Sequence, residues 1–301
     1  MECISPRSIK NPKKGAENMF LSVPCGTCPI CLENHRASWT FRLTQEQNAA
    51  LTSLFITLTY DELKSPSLEI RDIQGFLKRL RYYMDVDYQK RLKMPEIAPE
   101  MPKMKYFIVG EYGTKYKRPH YHGIFFNLPM NCSELINQAW KHGFIRVDPL
   151  NDARINYVTG YILSKRDYPE GTKKPFATMS LKPPIGMQYL EKNMNYHKNG
   201  KKFIAVLKGG KRVNLPRIYK HKIFDENERS EHYNEVKEIR YKKGLELRRE
   251  CYKNKIPFYQ NQDMIIREIY RKHEERKLKH NKNEDTNIQF GSIKETKNKP
   301  L

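Results

Sequence analysis

The chain contains no run of eighteen apolar residues, which excludes a bilayer-spanning helix, and its opening stretch MECISPRSIKNPKK lacks the apolar core of a secretory signal. Acidic residues are scarce beside basic ones, 34 Asp and Glu against 56 Lys and Arg in 301 residues, for a formal charge of +22. No internal repeat is visible, so a solenoid or propeller is not expected. No single basic amphipathic helix dominates, which weakens a membrane-surface reading. With six cysteines in a chain of this size, a disulfide framework is not expected either. The mean hydropathy of −0.81 describes a soluble, strongly polar protein that stays in the compartment where it is made.

The charge excess is unevenly placed. Met1 to Lys220 holds 36 basic and 19 acidic residues, whereas His221 to Leu301 holds 20 and 15. The field therefore belongs to the folded part, which implies a polyanion bound by the fold itself and not by a tail. Nineteen tyrosines interleaved with the basic residues offer stacking platforms for unpaired bases.

The most informative stretch is Gly110 to Phe126, GEYGTKYKRPHYHGIFF. His120 and His122 are two apart, so on a strand both project from one face while Tyr121 projects from the other. Met104 to Tyr112 reads as a preceding strand, with Thr114 to Lys117 as the hairpin loop. If Gly113 closes that loop opposite Arg118, Glu111 lies directly across from His120, with Cβ atoms about 5 Å apart. Two imidazoles and a carboxylate with coordination positions left open suit a divalent ion that must also hold a substrate oxygen. The bland alternative is a His-x-His strand with no metal.

Around this stretch the periodicity alternates. The segment from Cys31 reads as helix, Leu54 to Tyr60 as a buried strand, and Glu69 to Met84 as an amphipathic helix. A helix capped by Asn131 or Ser133 and closed by Gly143, a short strand Phe144 to Val147, and a helix Asp152 to Ser164 follow. The order strand, helix, strand, strand, helix, strand gives an α+β fold: the antiparallel sheet of a ferredoxin-like split βαβ, with helices on one face and the other free for a site. Prolines and glycines break Arg166 to Lys220 into loops around one strand in FIAVLKG. The last eighty residues read as charged helices forming a C-terminal extension, with a disordered polar tail from Lys282. The expected divisions are 1–50, a Cys-containing segment and helix; 51–168, the core; 169–220, a loop-rich extension; and 221–301, the charged helical region.

Cys25, Cys28 and Cys31 form C-x2-C-x2-C, with His35 as a candidate fourth ligand of a structural zinc; reduced thiols in a turn, or part of an iron-sulfur cluster, are the alternatives. Tyr157 and Tyr161 in YVTGYILSK are four apart and share a helix face. Alone they read as a core stripe. Beside a metal they acquire another use, because a divalent ion on a phosphate stabilises the charge that develops as a phenol attacks. Gly160 beside them would let another group approach the helix backbone closely, at a cost of roughly 1 kcal/mol in propensity.

These residues carry a resemblance. PHYH within GEYG…RPHYHGIFF resembles the His-hydrophobic-His motif of the HUH endonuclease superfamily, FITLTYD the strand motif preceding it in rolling-circle initiators, and YVTGYILSK their tyrosine motif. CGTCPICLENHRASWTFRL narrows the likeness to the replication initiators of gokushovirus-type microviruses, and the match covers about Val23 to Lys165. The resemblance implies a nickase of the replicative-form origin that joins itself to the 5′ phosphate through tyrosine, leaves a 3′-OH, and later cuts and rejoins the unit genome. It further implies Glu111, His120 and His122 as ligands of Mg²⁺ or Mn²⁺, and Tyr157 and Tyr161 as nucleophiles. Viral origin DNA, a host helicase and a host DNA polymerase would be the partners, in the cytoplasm of a bacterial host. Relatives carry a lysine between the tyrosines or three after the second, where this chain has Gly160 and Ser164; Lys165, one position on, is the candidate for orienting the phosphate. Two other readings remain on the residues alone: a non-catalytic single-stranded DNA- or RNA-binding sheet, and a metal-dependent phosphoester hydrolase in which water attacks.

Overall fold

The structure, a computed structural model, describes residues 3–12, 19–61, 67–92, 102–113, 117–129, 132–164, 168–207, 210 and 212–289. The chain divides into two compact units, Met1–Phe41 with Gln188–Arg276, and Arg42–Met187 with Lys277–Leu301. Nine strands and eight helices occupy the described residues. In order they are β1 (Arg7–Lys10), β2 (Phe20–Val23), α1 (Pro29–Gln47), β3 (Ser53–Thr59), α2 (Ile70–Leu92), β4 (Lys105–Tyr112), β5 (Pro119–Phe126), α3 (Cys132–Ala139), β6 (Ile145–Pro149), α4 (Asp152–Ser164), β7 (Phe176–Met179), α5 (Gln188–Asn199), β8 (Ile204–Val206), β9 (Arg212–Asn214), α6 (Arg217–Ile223), α7 (Glu226–Lys253) and α8 (Phe258–Gln289).

The second unit is built on a five-stranded antiparallel sheet in the order β6-β3-β5-β4-β7. The split βαβ succession is present as β3-α2-β4-β5-α3-β6, and the α+β fold read from the sequence holds. Alternation along the strands separates the faces. Ile56 and Leu58 of β3, Ile108 of β4, and Tyr121 and Phe125 of β5 join Ile73, Phe76, Leu77 and Leu80 of α2 and Ile136 and Ala139 of α3 in one buried cluster. The opposite face is not bare, as expected from the sequence, because α4 packs over β4 and β5. Its apolar residues Ile155, Val158 and Ile162 need cover, and the sheet supplies it.

Tyr121 shows how β5 is held. Its ring is completely buried, and burial pushes the phenol up to about 12. The Oη takes the Glu69 backbone N–H at 2.7 Å, meets the Tyr60 hydroxyl at 2.8 Å, and so engages the start of α2. Tyr60 in turn donates to Asp72 Oδ2 at 2.7 Å. A buried ion pair holds the far end of the sheet: Lys105 Nζ lies 2.8 and 2.9 Å from the two oxygens of Glu46, and Glu46 Oε2 also accepts the Gly186 N–H at 2.6 Å.

The first unit was less legible. The polar lead-in hides an antiparallel hairpin, β1 on β2, and the segment expected as loops contains β7, the helix α5 and the β8–β9 hairpin. Phe41 packs edge-on against Tyr189 and Tyr219, with centroids 5.0 and 5.9 Å away. Asp225 and Glu228 form a capping box that starts α7, with bonds of 2.9 and 2.8 Å. The tail expected to be disordered from Lys282 continues as helix to Gln289, and 290–301 lie outside the described residues.

Removing one partner of a buried pair strands the other charge, so Glu46→Ala should destabilise the sheet unit by about 3–5 kcal/mol. Urea denaturation followed by circular dichroism measures this, and adding Lys105→Met should recover much of the loss.

Candidate metal centre

The hairpin between β4 and β5 sets the geometry. Gly113 N–H donates to Arg118 O at 3.0 Å, as the loop reading required, and Glu111 then pairs directly with His120. His122 sits two residues on, beside Thr57 of β3. Glu111 Oε1 lies 2.6 Å from His120 Nε2 and 2.9 Å from His122 Nε2. Both carboxylate oxygens of Glu111 are buried without a properly directed hydrogen-bond donor. Three donor atoms aimed at a common point, and not at one another, fit a divalent cation.

Protonation suits the same purpose. Burial alone would raise the Glu111 carboxyl, but positive charge at His120 and then His122 outweighs it and holds the group at about 2. Burial pulls His122 below the usual imidazole range. An ionised carboxylate and a neutral imidazole are the ligating forms. His120 Nδ1 lies 3.0 Å from Arg118 O, an atom that only accepts, so Nδ1 carries the proton and Nε2 presents its lone pair. His122 Nδ1 is 3.1 Å from Thr57 Oγ1, which can hold that ring in the same tautomer.

Helix α4 brings both tyrosines to the centre. Tyr157 Oη lies 3.4 Å from His122 Nε2, and the Tyr161 ring stacks on His122 at 6.0 Å with an interplanar angle of 13°. The two phenol rings are 5.1 Å apart. Tyr157 is half-buried and Tyr161 is buried, so the pair is not equally open to a ligand. Lys165 lies outside the described residues.

Three neighbours escaped the sequence reading. Thr57 and Phe55 lie on β3, where Phe55 stacks on His122 at 5.4 Å and meets Tyr157 edge-on. Period-two alternation in FITLTYD places both on the histidine face once β3 is known to flank β5, a pairing no local signal declares. His280 of α8 donates Nε2–H to Tyr157 O at 2.9 Å, and its ring lies 5.4 Å from Tyr157 and 4.7 Å from Tyr161. Gly160 now has its reason: a Cβ there would fall 2.1 Å from His280 Cδ2.

A second donor group lies in the first unit. Cys25, Cys28 and Cys31 converge, but the fourth member is Cys3, 22 residues before Cys25. The expectation of His35 is corrected: its Nε2 accepts the Trp39 indole N–H at 3.0 Å, an i,i+4 contact along α1 that turns the ring elsewhere.

Comparison with known proteins accords with this geometry. Residues 53–167 match the replication-associated protein ORF2 family. The chain is 27% identical to replication-associated protein ORF2 of Spiroplasma virus 4 over 289 residues, covering 80% of this chain and 86% of that protein. It is 29% identical over 228 residues to replication-associated protein VP4 of Bdellovibrio phage phiMH2K, covering 69% of each. Identity to replication-associated protein ORF4 of Chlamydia phage 1 is 29% over 164 residues, 48% of this chain and 38% of the relative. No solved structure matches significantly. The matches bear out the likeness to replication initiators of microviruses. Among the described residues no helix is long and apolar enough to cross a membrane.

Outer partners of metal-bound imidazoles are worth about 10–100-fold in affinity, so Thr57→Val should weaken Mn²⁺ binding by that factor. Isothermal titration calorimetry provides the comparison, with an unchanged circular dichroism spectrum as the control.

Proposed function

We propose that this chain initiates rolling-circle replication of a single-stranded DNA phage genome, nicking the replicative-form origin and joining itself to the 5′ phosphate through tyrosine. The observation that carries the reading is the position of Tyr157 Oη, 3.4 Å from His122 Nε2 in the Glu111, His120 and His122 group. A core stripe would have no need to aim a phenol at converging metal donors. An Mg²⁺ or Mn²⁺ ion held by those three residues would neutralise charge on the scissile phosphate and so lower the barrier to attack by a phenol.

The tyrosine oxygen forms a bond to phosphorus as the bond to the 3′ oxygen breaks; the phenol gives up its proton and the 3′ oxygen takes one. One phosphodiester replaces another, so little free energy is lost and the strand can later be rejoined without a nucleotide cofactor. Tyr157, half-buried and nearer the donor group, makes the first attack. Tyr161, 5.1 Å away ring to ring, serves the second transfer after a small movement of α4 or of the DNA. Lys165 orients the phosphate. The 3′-OH primes a host polymerase, with a host helicase opening the duplex ahead of it, and the basic residues of Met1 to Lys220 hold the DNA backbone. Origin recognition would place the protein in the cytoplasm of the bacterial host.

Incubation with supercoiled origin plasmid and Mn²⁺, with products resolved before and after protease, tests the scheme. Wild-type protein should give open circles bearing a protease-sensitive adduct. His120→Ala and His122→Ala should abolish nicking yet keep most nonspecific DNA affinity, because phosphate attraction is spread over many basic residues. Tyr157→Phe and Tyr161→Phe should each retain some adduct and the double variant none; a DNA-linked peptide containing neither tyrosine would overturn the assignment. Binding should also weaken steeply between low and physiological salt, as a fluorescence anisotropy titration would register.

A further inference from the structure

The cysteine group of the first unit is independent of the histidine centre. All four sulfur atoms lie within 4.8 Å of one another, and Cys3 Sγ and Cys28 Sγ are 3.9 Å apart. That is far from the roughly 2.05 Å of a disulfide. It is close to the edge of a tetrahedron whose centre lies about 2.3 Å from each corner, about 3.8 Å, which is the geometry of zinc in four thiolates.

The backbone is arranged to favour charge on sulfur. Thr27 N–H and Cys28 N–H donate to Cys25 Sγ at 3.4 and 3.3 Å, and Cys25 N–H donates to Cys3 Sγ at 3.2 Å. Gly26, with φ of +75°, supplies the left-handed turn that folds these amides back. Cys28 precedes α1 and Cys31 lies in its first turn, so two donors are fixed by the helix.

The segment between Cys3 and Cys25 has no core of its own. All four residues of β1 are exposed, as are the first three of β2; Phe20 is 61% exposed and Ile9 44%. A two-stranded hairpin without a buried face is marginal in water, and small elements of this kind are held by a staple. Here the staple would join the residue before the hairpin to the turn after it.

We propose that Cys3, Cys25, Cys28 and Cys31 bind one structural zinc ion, which closes the N-terminal hairpin onto the start of α1. The ion is separate from the divalent cation of the histidine centre and has no open coordination position. It therefore takes no part in phosphate chemistry; its loss releases the hairpin.

Elemental analysis of the full chain, purified without added metal, tests this alongside His120→Ala/His122→Ala protein. Both should carry about one zinc per chain. Cys3→Ser should lose most of it, whereas His35→Ala should keep it. Replacement by Co²⁺ should give the intense thiolate charge-transfer bands and tetrahedral d–d bands of four sulfur donors, lost in Cys3→Ser. Should Cys3→Ser fail to fold, titration of the wild-type chain with an organomercurial must release zinc in step with modification of the four thiols. Iron in place of zinc, a disulfide detected by intact mass, or zinc kept in Cys3→Ser but lost in His35→Ala would each overturn the proposal.

Discussion

Everything at the histidine centre depends on one strand being read on both faces at once. β5 turns His120 and His122 to one side and Tyr121 to the other, and Tyr121 is anchored by its hydroxyl to Tyr60 and to the backbone of Glu69. A slip of one residue would bury two imidazoles in the apolar core and expose a phenol ring that is now completely enclosed. The residue between the histidines thus fixes the register that makes them a pair. The hairpin closed at Gly113 and Arg118 extends the same register to Glu111 on β4.

Given that register, β3 completes the surroundings from the other side. Thr57 holds the His122 ring and Phe55 stacks on it, so the donor atoms are oriented by packing and by hydrogen bonds within the protein. Helix α4 adds the phenols, and its only glycine opposite His280 leaves room for α8 to lie against it. Polar donors, aromatic walls and nucleophile candidates come from four separate elements. Each element is held by the sheet or by packing on it.

Legibility in the sequence followed the range of the contact. His120, His122 and Glu111 could be placed because strand alternation and a short hairpin are local rules, and the split βαβ followed from hydrophobic period. β7 was not legible: Phe176–Met179 is four residues long, follows Pro175, and gains its identity only by pairing with β4. β1 and β2 carry no alternation because neither has a buried face. α5 buries only Leu190 and His197, too few for a helical stripe to show. Cys3 was passed over for His35 because spacing favours near neighbours, while the fold brings in a thiol 22 residues away. His280, 123 residues beyond Tyr157, had no local signal at all.

The position of β5 in the sheet also separates the molecule by timescale. The strand is hydrogen-bonded along its length to β3 and to β4, each of which has a further strand outside it. Its amides can exchange with solvent deuterium only when the sheet is peeled open, the costliest of local openings. Helix α4 satisfies its own backbone bonds and rests on the sheet by side chains alone, so it can lift or rotate while every strand stays paired. The imidazoles accordingly belong to the slowest-opening part of the unit and the phenols to a part free to move sooner, as two successive strand transfers at one fixed centre would require.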